Sequence, residues 1–460
     1  MQTKHRLIRP IEKIINTIYA RLSPARTVVE DACVVQPKIY ILRETSLHSI
    51  RGTRKNNRHV RNAHTEERLR DIKMGFLTSL KQSSVVHLMF AITFFTSGLI
   101  INLFQCILYL GLRPFSKYLY RKINYYLCYS FYCQLVFMAE WWSGTDVVVY
   151  VNKEEFDKYY GNEHGYLLMN HSYEIDWLMG WMFCDRIRML GNCKAYAKKS
   201  IQYIPTLGWA WKFAESVFLE RSWEKDKETI GEQIRELASY PDTMWLLLYA
   251  EGTRFTPEKH VASQKFAKEK GLPVLNHHLT PRTKGFTASI PHMRGKVEAI
   301  YNIQLAFKPN EPVKPTMTNL LYGKKVEAHM YFQRIPLSEV PDGEKAAAEW
   351  LHRIYQQKDR MAESFMQTGD FFATSGVPRT ESMKLERRYY SLINTVFWAI
   401  VVLVPMLYYI VNLFLSGSTV YFSIGVVIIL LFFLMMHKTI GMSEISKSSS
   451  YGAADTKKAK

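Results

Sequence analysis

An α/β domain with a mixed, largely parallel sheet flanked by helices, joined to N-terminal membrane helices and a C-terminal two-helix membrane hairpin, is the fold this 460-residue sequence predicts. Three observations predict it. Between about residues 150 and 385, short β-type runs alternate with charged, helix-like stretches, a pattern that favours strands connected through helices. Residues 82 to 112 contain no Asp, Glu, Lys or Arg over 31 positions. Residues 389 to 437 contain none over 49, and Ser416-Gly417-Ser418 interrupts them near the middle.

The elements follow in chain order. Residues 1 to 73 carry 16 Lys or Arg against 7 Asp or Glu, with little core-forming pattern, and are expected to be a basic, partly disordered appendage. Inside it, Ile11, Ile14, Ile15, Ile18, Tyr19 and Leu22 recur at the spacing of an amphipathic helix. The opening MQTKHRLIRP lacks an early apolar run and does not read as a secretory signal peptide. Membrane or interfacial helices are expected over 82 to 139. The first uncharged stretch is long enough to span, because about 20 apolar residues cross a bilayer. The second, Ile123 to Ala139, has 17 residues rich in Tyr and Phe, suits the interface, and would leave Glu140-Trp141-Trp142 at headgroup level.

A globular domain is expected over 145 to 385, with strands at Asp146–Val151, Gly165–Met169 and Met244–Tyr249 and a helix over Lys225–Ser239. The hairpin occupies 389 to 437. Basic residues flank both its ends, Lys384, Arg387 and Arg388 before and Lys438 and Lys447 after, which places both flanks in the cytosol by the positive-inside rule. Residues 438 to 460 form a polar tail.

Composition narrows the partners. Lys and Arg outnumber Asp and Glu by 60 to 41, a net charge of +19, which suits anionic headgroups, phosphorylated small molecules or nucleic acid. The membrane segments argue against nucleic acid. Six cysteines are scattered without a CxxC pair, which argues against a zinc ribbon or a disulfide framework. The adjacent pair His277-His278 lacks further spaced ligands and reads as surface or loop.

Chemistry is sought beyond the carboxyl ends of strands, where open α/β sheets carry their sites. After the 165–169 run comes Asn170-His171-Ser172-Tyr173-Glu174-Ile175-Asp176. A histidine can act there as a general base while a carboxylate holds its tautomer, with Asp176 reaching back from the first turn of a helix. Asn170-His171-Ser172 also fits a glycosylation sequon, which an active-site strand end facing the cytosol would not expose to that machinery. The 244–249 run ends similarly, in Ala250-Glu251-Gly252-Thr253-Arg254-Phe255. Glycine admits a close backbone approach, and Arg254 offers a planar fork for phosphate. Two polar elbows at strand ends, 80 residues apart, favour one shared site.

These residues carry a resemblance. Asn170-His171 through Asp176 is similar to the NHxxxxD block of the glycerolipid acyltransferase superfamily, and Glu251-Gly252-Thr253-Arg254 to its EGTR block. The Lys198-Lys199, Pro205 and Gly208 elements and Phe218-Leu219-Glu220-Arg221 resemble the features between those blocks. Glu140-Trp141-Trp142, the block at 279 to 286, the hairpin and the Tyr451-Gly452 tail resemble the gamma/delta type of 1-acyl-glycerol-3-phosphate acyltransferase, over residues 74 to 460. The resemblance implies acyl transfer from acyl-CoA to the 2-hydroxyl of lysophosphatidic acid, giving phosphatidic acid. It implies His171 as base, Asp176 as its orienting partner, Arg254 as phosphate ligand with Glu251, Gly252 and Thr253 shaping its pocket, and Lys198 and Arg221 as further phosphate contacts. No metal or tightly bound cofactor is implied, acyl-CoA being a co-substrate. An endoplasmic-reticulum membrane enzyme with a cytosolic site is the expected setting, with the bilayer and lysophospholipid as partners and no protein partner indicated. One departure stands out: Val297-Glu298-Ala299-Ile300 lacks the proline common in the family's fourth block, which bears on acyl-chain preference. The alternatives are an acyltransferase for another lysophospholipid and a membrane-anchored, non-catalytic scaffold.

Overall fold

The computed structural model describes residues 75–220 and 222–444. The appendage with its expected helix, Arg221 and the tail after residue 444 lie outside the described residues. Helix α1 (Ser84–Gly111) is followed by α2 (Lys117–Phe137), β1 (Asp146–Val151), α3 (Lys153–Tyr159), β2 (Gly165–Met169) and α4 (Asp176–Arg186). Then come β3 (Cys193–Lys198), α5 (Leu207–Phe213), β4 (Val217–Leu219), α6 (Trp223–Leu237), β5 (Trp245–Leu248), α7 (Pro257–Glu269) and α8 (Thr283–Met293). The chain closes with β6 (Ala299–Phe307), α9 (Met317–Leu321), β7 (Glu327–Pro336), α10 (Glu344–Thr368), β8 (Glu381–Lys384), α11 (Tyr389–Leu415) and α12 (Thr419–Ser443).

The eight strands form one sheet in the order β4-β3-β5-β2-β6-β7-β1-β8. From β4 to β6 every neighbour is parallel, β6 and β7 run antiparallel, β7 and β1 parallel, and β8 closes the edge antiparallel. The sheet is mixed and largely parallel, as the alternating pattern predicts, and the three strands read from sequence match to within a residue at each end.

Strand alternation builds two cores. Leu167 and Met169 of β2 and Trp245 of β5 face α2 and α4. Tyr166, Leu168, Leu246 and Leu248 face α6, α8 and α10. Local signals set several helix starts. Ser116 accepts from the Leu119 N–H, and Thr256 caps α7 with Pro257 at its first position. Gly369, at φ +75°, ends α10 in the left-handed conformation that glycine adopts without a Cβ clash.

Helices α1, α11 and α12 are long and apolar enough to cross a membrane. They differ in surroundings: the apolar window of α1 is 44% buried in protein, whereas those of α11 and α12 are 11% and 6% buried, so the hairpin presents Phe397, Val404 and Leu430 outward, as lipid contact requires. Helix α2 starts at Lys117, and its Cys128, Phe131, Tyr132 and Val136 are buried in the core against the sheet domain. Arg121 is buried too, paired with Glu215 and Glu236. Glu140 is likewise buried, and Trp142 donates to the Leu321 carbonyl at 2.7 Å.

Candidate active site

Parallel pairing of β2 with β5, Leu168 opposite Leu248, releases the two polar elbows side by side at the carboxyl edge of the sheet. Further bonds join them. The Phe255 N–H donates to the His171 carbonyl at 2.8 Å, and the His171 N–H donates to Glu251 Oε1 at 2.9 Å. Asn170, the sequon residue, is buried with its side chain bonded to both the Leu305 N–H and carbonyl on β6, so its amide is committed to holding the elbow.

Asp176 opens α4, where the helix N-terminus favours a carboxylate. Its Oδ2 lies 2.7 Å from His171 Nδ1. Its Oδ1 accepts from the Trp177 N–H at 2.7 Å and from the Tyr249 hydroxyl at 3.2 Å. Tyr249 also stacks its ring on the imidazole, centroids 3.9 Å apart, and burial raises its phenol well above the ordinary value, so it remains a donor. With Asp176 fully buried and His171 at 16% side-chain exposure, the pair fixes the ring from one side and leaves Nε2 for a reacting group. Tyr249 is a member of the site that sequence reading assigned to a strand.

Glu251 does not face the cavity. It is fully buried, and it accepts the His171 N–H and, at 3.4 Å, the Leu279 N–H. Burial raises its carboxyl above the ordinary range, against the lowering by His278 and His171. Gly252, at φ +72°, turns the loop and passes beneath Arg282: a Cβ there would meet Arg282 Cδ at 3.0 Å. Thr253 Oγ1 accepts from Lys259 Nζ at 3.0 Å. Arg254 Nη1 donates to the Ser443 carbonyl at 2.8 Å and the Glu444 carbonyl at 3.3 Å, so the end of the hairpin meets the loop. Lys198, exposed at the end of β3, lies on the wall of the same cavity.

That cavity, of about 1230 Å³, gathers His171, Lys198, Gly252, Thr253 and Arg254. Its apolar lining includes Tyr249, Leu247 and Trp245 along the sheet with Trp181, Phe183 and Phe332, a run of roughly 13 Å at the strand rise of about 3.3 Å per residue. Trp245 lies across Gly165, where a Cβ would meet its Nε1 at 2.8 Å. The proline-lacking fourth block starts β6 at the opposite edge from His171, with Ala299 paired to Gly165, and Glu298 accepts the His164 N–H at 2.9 Å.

Behind the site, His277 and His278 lie in the loop between α7 and α8, as read from sequence, and His278 is turned inward. It is 1% exposed, bonded to Asp359 at 3.1 Å and Gln304 at 3.2 Å. Lys358, the neighbour of Asp359 on α10, is fully buried and donates to the carbonyls of Leu168 and Ile303. Burial pushes its ammonium down to about 7, against the raising influence of Glu251.

Comparison with known proteins follows the same blocks. Residues 148–294 match the family model described as acyltransferase, and residues 319–398 the one described as acyltransferase C-terminus. The chain is 43% identical over 385 residues to 1-acyl-sn-glycerol-3-phosphate acyltransferase gamma of Homo sapiens, spanning 84% of this chain and 100% of that protein. It is 42% identical to the delta protein of Bos taurus, over 84% of this chain and 99% of that one. The crystal structure of the LPA acyltransferase PlsC from Thermotoga maritima covers 61% of this chain and 95% of its own at 14% identity and a TM-score of 0.38, too loose a likeness to carry an argument.

Proposed function

The chain belongs to the 1-acyl-sn-glycerol-3-phosphate acyltransferase family of enzymes, and from that premise we propose that it transfers the acyl group of an acyl-CoA to the 2-hydroxyl of lysophosphatidic acid, yielding phosphatidic acid and CoA. The observation that carries this reading is the 2.7 Å bond from His171 Nδ1 to Asp176, with His171 lining a cavity that has both apolar and basic walls. Nε2 takes the proton of the 2-hydroxyl as its oxygen attacks the thioester carbonyl. The C–S bond then breaks, and the imidazolium returns the proton to the departing thiolate. Asp176 keeps the Nδ1 proton in place and offsets the imidazolium charge. No acyl-enzyme forms. The apolar part of the lining accepts an acyl chain, and Arg254 takes the glycerol phosphate, exchanging its hairpin carbonyl partners for phosphate oxygens. Glu251 and Gly252 position the two elbows, and Lys198 adds positive charge at the rim.

The setting follows from the hairpin. Both its ends carry basic flanks, and the cavity wall includes Met442 and Glu444 at its end. Under the positive-inside rule the site therefore faces the cytosol beside the bilayer, which suits an endoplasmic-reticulum enzyme drawing an amphiphilic acceptor from the membrane.

Release of free CoA by detergent-purified protein, given oleoyl-CoA with and without lysophosphatidic acid, tests the reading. Wild type is expected to release CoA only with acceptor, and His171→Ala to lose about a hundredfold or more, as removal of a general base costs. Acceptor-dependent release that survives in His171→Ala refutes the mechanism. A wild type inert to lysophosphatidic acid but active on another lysolipid reassigns the acceptor.

A further inference from the structure

The block at 279 to 286 has no part in the reaction just described, yet it borders the same cavity. Six Lys or Arg side chains line that cavity against two acidic ones, Asp226 and Glu444. Lys259 is held by Thr253 and the Arg254 carbonyl, and Arg254 by the end of the hairpin. Two more of the six, Arg282 and Lys284, come from one turn of this block, and both are exposed at the rim.

Their placement is built rather than loose. The Arg282 N–H donates to the Ala250 carbonyl at 2.7 Å, so the backbone of the block is latched to the loop that carries Arg254. The Arg282 stem then runs across Gly252, whose missing Cβ leaves it 3.0 Å of clearance at Cδ. Lys284 Nζ stands 5.2 Å over the Trp223 ring, and Trp223 is part of the cavity wall. Helix α8 begins between them at Thr283 with no acidic residue in its first turn. Its N-terminal dipole therefore adds to the two cations and has no carboxylate of its own to neutralise it.

We propose that Arg282 and Lys284 form a second phosphate-binding locus of the cavity, separate from Arg254, which takes a phosphate group of one of the two substrates. The proposal rests on the acyl-transfer reading for its choice of ligands. That reading brings several phosphates to one cavity: the monoester of the acceptor, and the diphosphate and 3′-phosphate of CoA. One arginine does not serve all of them, and a planar guanidinium beside a helix N-terminus matches phosphate oxygens.

Two measurements on the full chain in detergent test it, comparing wild type, Arg282→Gln/Lys284→Gln and Arg282→Lys. In steady-state kinetics the double variant is expected to raise KM for one substrate about tenfold or more, as loss of charge-assisted bonds does, with kcat within about threefold. Arg282→Lys should recover part of that loss. A rise for lysophosphatidic acid identifies the acceptor phosphate, and a rise for oleoyl-CoA identifies the donor. In thermal melting, CoA and glycerol 3-phosphate serve as probes, and the double variant should lose the upshift given by one of them. Unchanged KM values together with unchanged upshifts overturn the proposal, as does a fall in kcat alone. An inactive wild type whose CoA upshift disappears in the double variant overturns the acyl-transfer reading and leaves the locus standing. A wild type with neither activity nor upshift overturns both. Should the double variant melt without a cooperative transition, Lys284→Gln alone, at an exposed position, carries the same comparison.

Discussion

The two ends of the cavity mouth are built on different physical terms. At the His171 end, the contacts are short and shielded: a strand end and a helix start five residues apart, a buried carboxylate with three donors, and a tyrosine from the neighbouring strand stacked over the ring. At the Arg254 and Arg282 end, long cations converge from separate segments, Arg282 exposed and Arg254 half-buried, and Arg254 bonds main-chain carbonyls that a substrate can replace. Proton transfer needs a fixed distance and tautomer, which burial supplies. Anion capture needs charge that can adapt to a ligand and remain open to solvent. The first end should therefore govern kcat, the second KM.

The largest expected effect separates the two ends most sharply. Asp176→Asn keeps the shape of the side chain but can present its amide to Nδ1, favouring the wrong tautomer of His171. Such a change in a comparable His-carboxylate pair costs roughly 10⁴-fold in kcat, so a loss of about 10³-fold or more is expected here, with both KM values within about threefold. Measured kinetics in which KM rises while kcat holds would dissolve the distinction between the ends.

The catalytic end was also the more legible one in sequence, for the same reason. His171 and Asp176 lie within one loop between an apolar strand and a helix, so the chemistry and its placement can be read together. Strand adjacency is a different matter: nothing local to 165–169 or 244–249 says that they pair, and only the repeated polar elbow hints at it. The antiparallel β6 and β7 carry no local mark of direction, because both faces are buried and their partners are set by the whole sheet. Long-range partners hide polar residues as well. Arg121 reads as a charged helix position, but its carboxylates come from Glu215 and Glu236, about a hundred residues away. His278 reads as half of a loop pair until Asp359, 81 residues on, is brought against it. Tyr249 counts as one more apolar strand residue until Asp176 arrives from the neighbouring strand's loop.

Lys358 offers an intermediate test, since it sits behind the catalytic end and touches no substrate. Its donors reach the carbonyls of Leu168 and Ile303, the strands on which the His171 elbow rests. With a folded pKa pushed down to about 7 and an unfolded value near 10.4, the unfolded chain binds the extra proton between those values. Stability from this group therefore rises as pH increases from about 7 towards 10.4 and is constant below about 7. Lys358→Met removes that slope: between pH 7 and 9 its melting temperature should climb less than that of wild type. Parallel melting curves over that range would show that Lys358 keeps its proton in the folded chain.

The smallest effect is expected at the open end, where Lys198 and Arg254 border the same space in unequal ways. Arg254 is half-buried with a fork fixed by two carbonyls, so little ordering cost remains when phosphate replaces them. Lys198 is exposed at the end of β3, a point charge on a flexible stem whose attraction is weakened by solvent and salt. Arg254→Gln should raise the KM for lysophosphatidic acid about tenfold, and Lys198→Gln less than about threefold, an effect that fades at high ionic strength. Equal losses in the two variants would mean that the open end works by summed charge alone. A difference of the expected size would mean that it, too, holds one contact by geometry, and that the contrast between the ends is one of degree.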